Sequence, residues 1–355
     1  MFHTEKPKTD VKKPAPTRFG RLKGVSTWTI LVVALAALFI FSFVLGRYAI
    51  SPGDVIKVLV SKVLHLTPTW SSTVETVVMQ IRLPRILAAI LVGACLALSG
   101  VSFQGLFRNP LVSPDILGVS SGAGFGAALA ILLSGNQLAI QVSAFCFALL
   151  AVGISYSISK MVKGNPTLSL ILAGMAIASL FGALLSLVKY VADPVNQLPS
   201  ITYWLMGSFA SVGQKSLLYA AVPMLIGITV LILIRWRFNV LAMGEEEAKA
   251  LGVDTGKLRT IIVICCTMIT ASAVCISGTI GWVGLVIPHI GRALVGPDHK
   301  KLLPVCLLIG AIFLLLIDDI ARVVASVEIP IGILTAIVGI PFFVFLLKRG
   351  GRGWA

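Results

Sequence analysis

Residues 82–122, RLPRILAAILVGACLALSGVSFQGLFRNPLVSPDILGVSSG, decide the fold. Arg82 and Arg85 flank Pro84, which suits a first helical turn because its missing N–H loses no intrahelical bond there. From Ile86 to Phe107 there is no charge, only apolar and small residues with Gln104. A helix rises about 1.5 Å per residue, so about 20 such residues cross a bilayer core. The run stops at Arg108-Asn109-Pro110, and after Pro114 and Asp115 a second apolar run begins. Gly118, Gly122 and Gly126 stand four apart in it, a step that lets helix backbones approach closely in lipid. Two tightly packed spans joined by a polar elbow are expected at the centre of the molecule.

The composition extends that reading to the whole chain. Hydrophobic residues are 57% and charged ones 12%, with a mean hydropathy of +0.99. That balance excludes a soluble domain of this length and indicates a polytopic membrane protein. Cys95, Cys146, Cys265, Cys266, Cys275 and Cys306 all lie inside apolar runs, with no CxxC and no His/Cys cluster. They read as packing residues, with neither a disulfide frame nor a zinc site.

Residues 1–27 are polar and basic and read as a disordered cytosolic tail, followed by an uncleaved span over 28–45. Residues 46–81 form a mixed outer loop in which Ser51-Pro52-Gly53-Asp54 is a helix start. Further spans are expected at 86–107, 114–134, 138–159, 167–192, 217–238, 260–276, 279–295, 302–321 and 329–347. The piece 201–212 is too short to cross and reads as re-entrant. Ten crossings put both termini on one side. With the N-terminus inside, 21 of the 29 lysines and arginines fall on inner segments and 8 on outer ones. That bias follows the positive-inside rule and explains the net charge of +15 without nucleic acid. Ser99-Gly100…Gly105-Leu106…Pro110 is echoed by Ser277-Gly278…Gly284-Leu285…Pro288, a chance match or an internal repeat of the transporter kind.

The longest polar insertion on the inner side is 244–259, GEEEAKALGVDTGKLR. Glu245, Glu246 and Glu247 follow Gly244, where a helix dipole favours them. Ala248 and Leu251 fall three apart on one face, Gly252 suits a C-terminal stop and Asp254 a cap. Spacing alone fits both a solvated loop helix and a helix docked in a partner's groove. Asp318, Asp319 and Arg322 end an apolar run near the outer boundary, so interfacial anchoring is expected rather than a proton relay. His289, beside Pro288, is expected to make a structural hydrogen bond. No GxxxxGK[ST] occurs, since Gly256-Lys257 runs into Leu258; HExxH is absent too. If the chain pumps, the nucleotide site is on a partner.

The stretch RLPR…LAAILVGACLALSGVSFQGLFRNPL…PDILGVSSGAG resembles the FecCD-type permeases, membrane subunits of bacterial ABC importers for iron-siderophores, haem and cobalamin. So do YWLMGSF at 203–209, GEEEAKALG at 244–252, GTIGWVGLVIPHIGR at 278–292 and EIPIGILTAIVGIPFF at 328–343. The resemblance implies an all-α, cobalamin-permease-like fold of about ten transmembrane helices plus a short re-entrant helix, with a permease domain over 28–349 and a cytosolic tail over 350–355. It implies a second permease subunit, two ABC ATPase subunits that carry the ATP, and an extracytoplasmic substrate-binding protein. The chain itself would bind no cofactor or metal and would not be an enzyme. Residues 244–259 then look like coupling helices, with Gly244, Glu245, Glu246, Glu247, Ala248, Leu251 and Gly252 at the ATPase. Arg82, Arg85 and Arg322 match positions facing acids of the binding protein, and Asn109, Leu111 and Thr167 match the cytosolic gate. The expected function is import of an iron-siderophore type substrate, or of haem or cobalamin by the same machine, across a bacterial or archaeal cytoplasmic membrane.

Overall fold

Helix starts fall where short side-chain acceptors stand. Ser51, Asn136, Asn165, Asp254 and Asp298 each accept a backbone N–H from the first turn that follows, at 2.9–3.1 Å, meeting donors that have no intrahelical partner. The computed structural model describes residues 24–46, 48–64, 69–162 and 164–350. The expected tail over 1–23, residues 351–355, and Arg47 and Lys163 of the charge count lie outside the described residues.

In chain order the helices are α1 (Gly24–Val44), α2 (Pro52–Leu64), α3 (Ser72–Thr76), α4 (Leu83–Phe107), α5 (Val119–Leu133), α6 (Gln137–Met161), α7 (Pro166–Val191) and α8 (Gln197–Met206). There follow α9 (Gln214–Leu233), α10 (Arg235–Met243), α11 (Glu245–Ala250), α12 (Thr255–Ser277), α13 (Val283–Val295), α14 (His299–Val323) and α15 (Ile331–Gly350). A π-helical segment, Val77–Arg82, fuses α3 to α4, so this run is helical for 36 residues. Among the described residues seven helical runs are long and apolar enough to cross a membrane, and the shorter apolar α5, α13 and α15 bring the set to ten. The short piece expected over 201–212 is helical only up to Met206, as part of α8, and residues 207–213 are not helical.

Three further boundaries differ from expectation. The span expected over 217–238 breaks at Ile234, and α10 leaves as a separate helix. Residues 278–282 are not helical; Trp282 holds a φ of 71° before α13 begins at Val283. The tail expected through residue 27 already turns helical at Gly24.

Apolar burial does not drive helices together in lipid, where the tails are as apolar as leucine; close packing does. α4 is the helix the others gather around: 83% of its most apolar window is buried, against 17% for α1. It packs on α12, α13 and α14. Gly93 meets Gly310 of α14, and Gly100 meets Gly284 of α13, so closely that a Cβ at either would strike the facing backbone. The two echoing motifs therefore touch each other. They are not copies in structure: the first is helical through Phe107 and leaves the helix before Pro110, whereas the second is broken at 278–282 and carries its Pro288 inside α13.

Candidate functional site

The two ends of the bundle carry the chemistry. At one end, α4 closes on Arg108 in the left-handed region (φ 48°), and the chain turns through the polar elbow. Asn109 Oδ1 accepts from Leu111 N (2.9 Å), which pins the turn and leaves the Leu111 side chain exposed. α13 clamps the elbow from the side. Gln104 donates to the carbonyls of Val112 (3.2 Å) and Gly284 (3.4 Å) and accepts from Arg292 Nη2 (2.7 Å). His289 Nε2 lies 3.1 Å from the Pro110 carbonyl, so this histidine is structural, as expected.

The 244–259 segment sits at the same end. α10 is fastened to the start of α14: Asn239 donates to Asp298 (2.7 Å) and Phe238 stacks on His299. Asn239 chiefly holds the Asp298 carboxyl below its usual range. Gly244 (φ 143°) turns the chain into α11, and Gly252 (φ 78°) turns it out again. Glu245 pairs with Arg259 of α12. The shared apolar face expected for Ala248 and Leu251 does not form. α11 ends at Ala250, which leaves Leu251 at the cap; Ala248 is fully buried while Leu251 is 61% exposed. Met243 joins Leu251 as an exposed apolar side chain.

A polar cavity of about 410 Å³ joins elbow and segment, lined by Arg108, Asn165, Thr167, Glu245 and Arg259 among others. Thr167 and Glu245, far apart in sequence, thus share one space; Asn109 and Leu111 adjoin it through Arg108. Sequence reading missed Arg259 and Asn165 as members. The Asp254 and Asn165 cap patterns were the available signals. A second, largely apolar cavity of about 860 Å³ lies between α8, the 279–282 turn and α15, with Asp115, Ser120 and Trp282 on its wall.

At the opposite end three arginines are drawn into the chain. Arg85 reaches Asp318 (2.9 Å) and Glu328 (2.8 Å). Arg322 pairs with Asp318 (3.2 Å) and with Asp319, which accepts from Ser42 Oγ of α1 (2.6 Å). Arg82 donates to the carbonyls of Phe43 and Tyr48. The three arginines are only 5–7% exposed, and Asp318 and Asp319 are buried with them. This corrects the expectation of interfacial anchoring: the acids are buried, and the guanidiniums reach this chain's own acids and carbonyls. Three cations against three anions at the rim of a low-dielectric core are most stable paired, and pairing here ties α1, α4, α14 and the approach to α15.

The family model of the FecCD transport family matches residues 34–349. The chain belongs to the FecCD transport family. It is 44% identical over 328 residues to the molybdate import system permease MolB of Haemophilus influenzae, covering 91% of this chain and 95% of that one. It is 41% identical to a permease of Helicobacter pylori named for iron chelatin transport, over 78% of this chain and 84% of that one. A solved structure described as a metal-chelate type ABC transporter, in an inward-facing conformation, aligns with TM-score 0.82 and 42% identity over 91% of this chain and 98% of its own. As a FecCD permease the chain is the multi-pass membrane subunit of an ABC importer. The cobalamin-permease-like, all-helical architecture expected from the sequence is the one observed.

Proposed function

We propose that this permease carries a ferric-siderophore type metal chelate inward, driven by ATP hydrolysed on a partner ATPase. The observation that carries the reading is the 42% identity and structural match over 91% of this chain to the metal-chelate type transporter; the relative named for iron chelatin supports it. Molybdate is the alternative cargo, favoured by the identity to MolB along nearly the whole of both chains.

In this reading the elbow end is cytosolic, because the cation excess lies there. Both termini are then cytosolic. The 244–259 segment meets the ATPase through Leu251 and Met243. Thr167, Asn109 and Leu111 form the gate, and the cavity against α15 becomes part of the path once a second permease subunit closes it. We assign binding-protein docking to the outer rim held by Arg82, Arg85 and Arg322. Glu328, whose side chain is 28% exposed, is the rim member that an incoming carboxylate would replace on Arg85.

The test is uptake into proteoliposomes holding the permease, its ATPase and its binding protein, with ferric siderophore and molybdate offered separately. Chelate uptake that requires both partners is expected. Uptake of molybdate alone would transfer the cargo to the alternative, and uptake by the permease without ATPase would overturn the reading.

A further inference from the structure

A cleft of about 580 Å³ opens at the elbow end between the start of α1, the α9–α10 joint and the start of α14. Its floor is apolar, with Pro304 and Leu307 among the residues forming it, and its mouth carries Arg235, Lys300 and Lys301 beside Trp28. Among the described residues no carboxylate lies within ion-pair distance of these three cations. Asp298, the acid of that turn, is occupied by Asn239 and by the Lys300 backbone amide. Lys300 and Lys301 are exposed, Trp28 is 43% exposed, and Ile30 and Val33 continue an apolar strip along α1.

We propose that this cleft binds an anionic phospholipid, with its phosphate against Arg235, Lys300 and Lys301 and its acyl chains along α1 and α9. Three cations with no carboxylate partner, of which Arg235 donates only to the Ile232 carbonyl (3.5 Å), make a phosphate site at the end of membrane helices; an apolar floor makes it a lipid site rather than one for a free anion. Trp28 stands where tryptophan ordinarily marks the headgroup level. The chain's own residues 1–23 carry seven lysines and arginines against Glu5 and Asp10, a charge that does not complement the cleft. The assignment goes beyond the transport reading and rests only on the chain being a membrane permease, so the cargo may prove different without touching it.

The experiment is native mass spectrometry of the full-length chain in detergent, titrated with cardiolipin and, separately, with phosphatidylcholine of matched acyl chains. The unsubstituted chain should prefer cardiolipin by about 20-fold or more, on the scale of basic residues at an anionic surface. Lys300→Gln with Lys301→Gln should remove most of that preference at unchanged melting temperature. Lys160→Gln, at the same end but outside the cleft, should keep it. No preference in the unsubstituted chain, or an equal loss in Lys160→Gln, would overturn the site. Displacement of the lipid by millimolar inorganic phosphate would assign the cleft to a soluble anion instead. Loss of ATPase assembly in the double variant, with lipid preference intact, would assign the lysines to a protein partner.

Discussion

The arginine end and the elbow end treat charge in opposite ways. At the arginine end, Arg82, Arg85 and Arg322 are buried and each is engaged by this chain, through Asp318, Asp319, Glu328 or backbone carbonyls. At the elbow end, Lys249, Lys300 and Lys301 stand in the open, and Leu251 and Met243 stand there with them. A charge removed from water costs several kcal/mol unless paired, so a buried cluster has to be complete within the fold. Exposed groups carry no such requirement and remain free for lipid or protein. One end ties the bundle together; the other leaves charged and apolar side chains exposed.

Breaking the arginine end should therefore cost the most. Asp318→Ala leaves Arg85 and Arg322 short of a partner and should lower stability by about 3–5 kcal/mol, seen as a fall in the denaturation midpoint in detergent. An unchanged midpoint would mean that water reaches Arg85 and the cluster is not closed.

At the elbow end the losses should fall on assembly instead. Leu251→Asp removes an exposed apolar anchor worth about 1.5–3 kcal/mol when buried, so ATPase association should weaken about tenfold or more with the denaturation midpoint unchanged. Co-purification of the ATPase at the original level would remove Leu251 from the interface. Glu245→Gln should do less. It frees Arg259 in a partly exposed pair worth about 1 kcal/mol or below, and its effect should appear as fewer substrates moved per ATP hydrolysed. Normal coupling would show that the cavity joining Thr167 to Glu245 transmits nothing. Smallest of all, Lys257→Gln loses an exposed pair with Asp254 at 3.4 Å and should change stability by less than about 0.5 kcal/mol.

The helices were legible because hydropathy and helix-start signals act locally: Ser51 announces α2 from a few neighbouring residues. Pairing across the fold was not. Arg85 and Asp318 are 233 positions apart, and neither run says that they meet. Both were read as boundary charges because they sit at the ends of apolar runs, yet the packing of α14 on α4 brings them together inside. The face assigned to Ala248 and Leu251 failed for another reason. A three-residue spacing implies a shared face only while the helix continues, and α11 stops after six residues. The break at Ile234 carries no Gly or Pro signal, so a single long span was the natural reading.

The central claim is that the end bearing Leu251 is cytosolic and covered by the ATPase. Leu251→Cys tests it directly, since every native cysteine except the exposed Cys146 of α6 is buried and a Cys146→Ala background removes that one. A membrane-impermeant thiol reagent should label this residue in inverted vesicles and not in right-side-out ones, and bound ATPase should protect it. Labelling in right-side-out vesicles would reverse the orientation. Labelling unaffected by the ATPase would show that the exposed leucine is not where the two subunits meet.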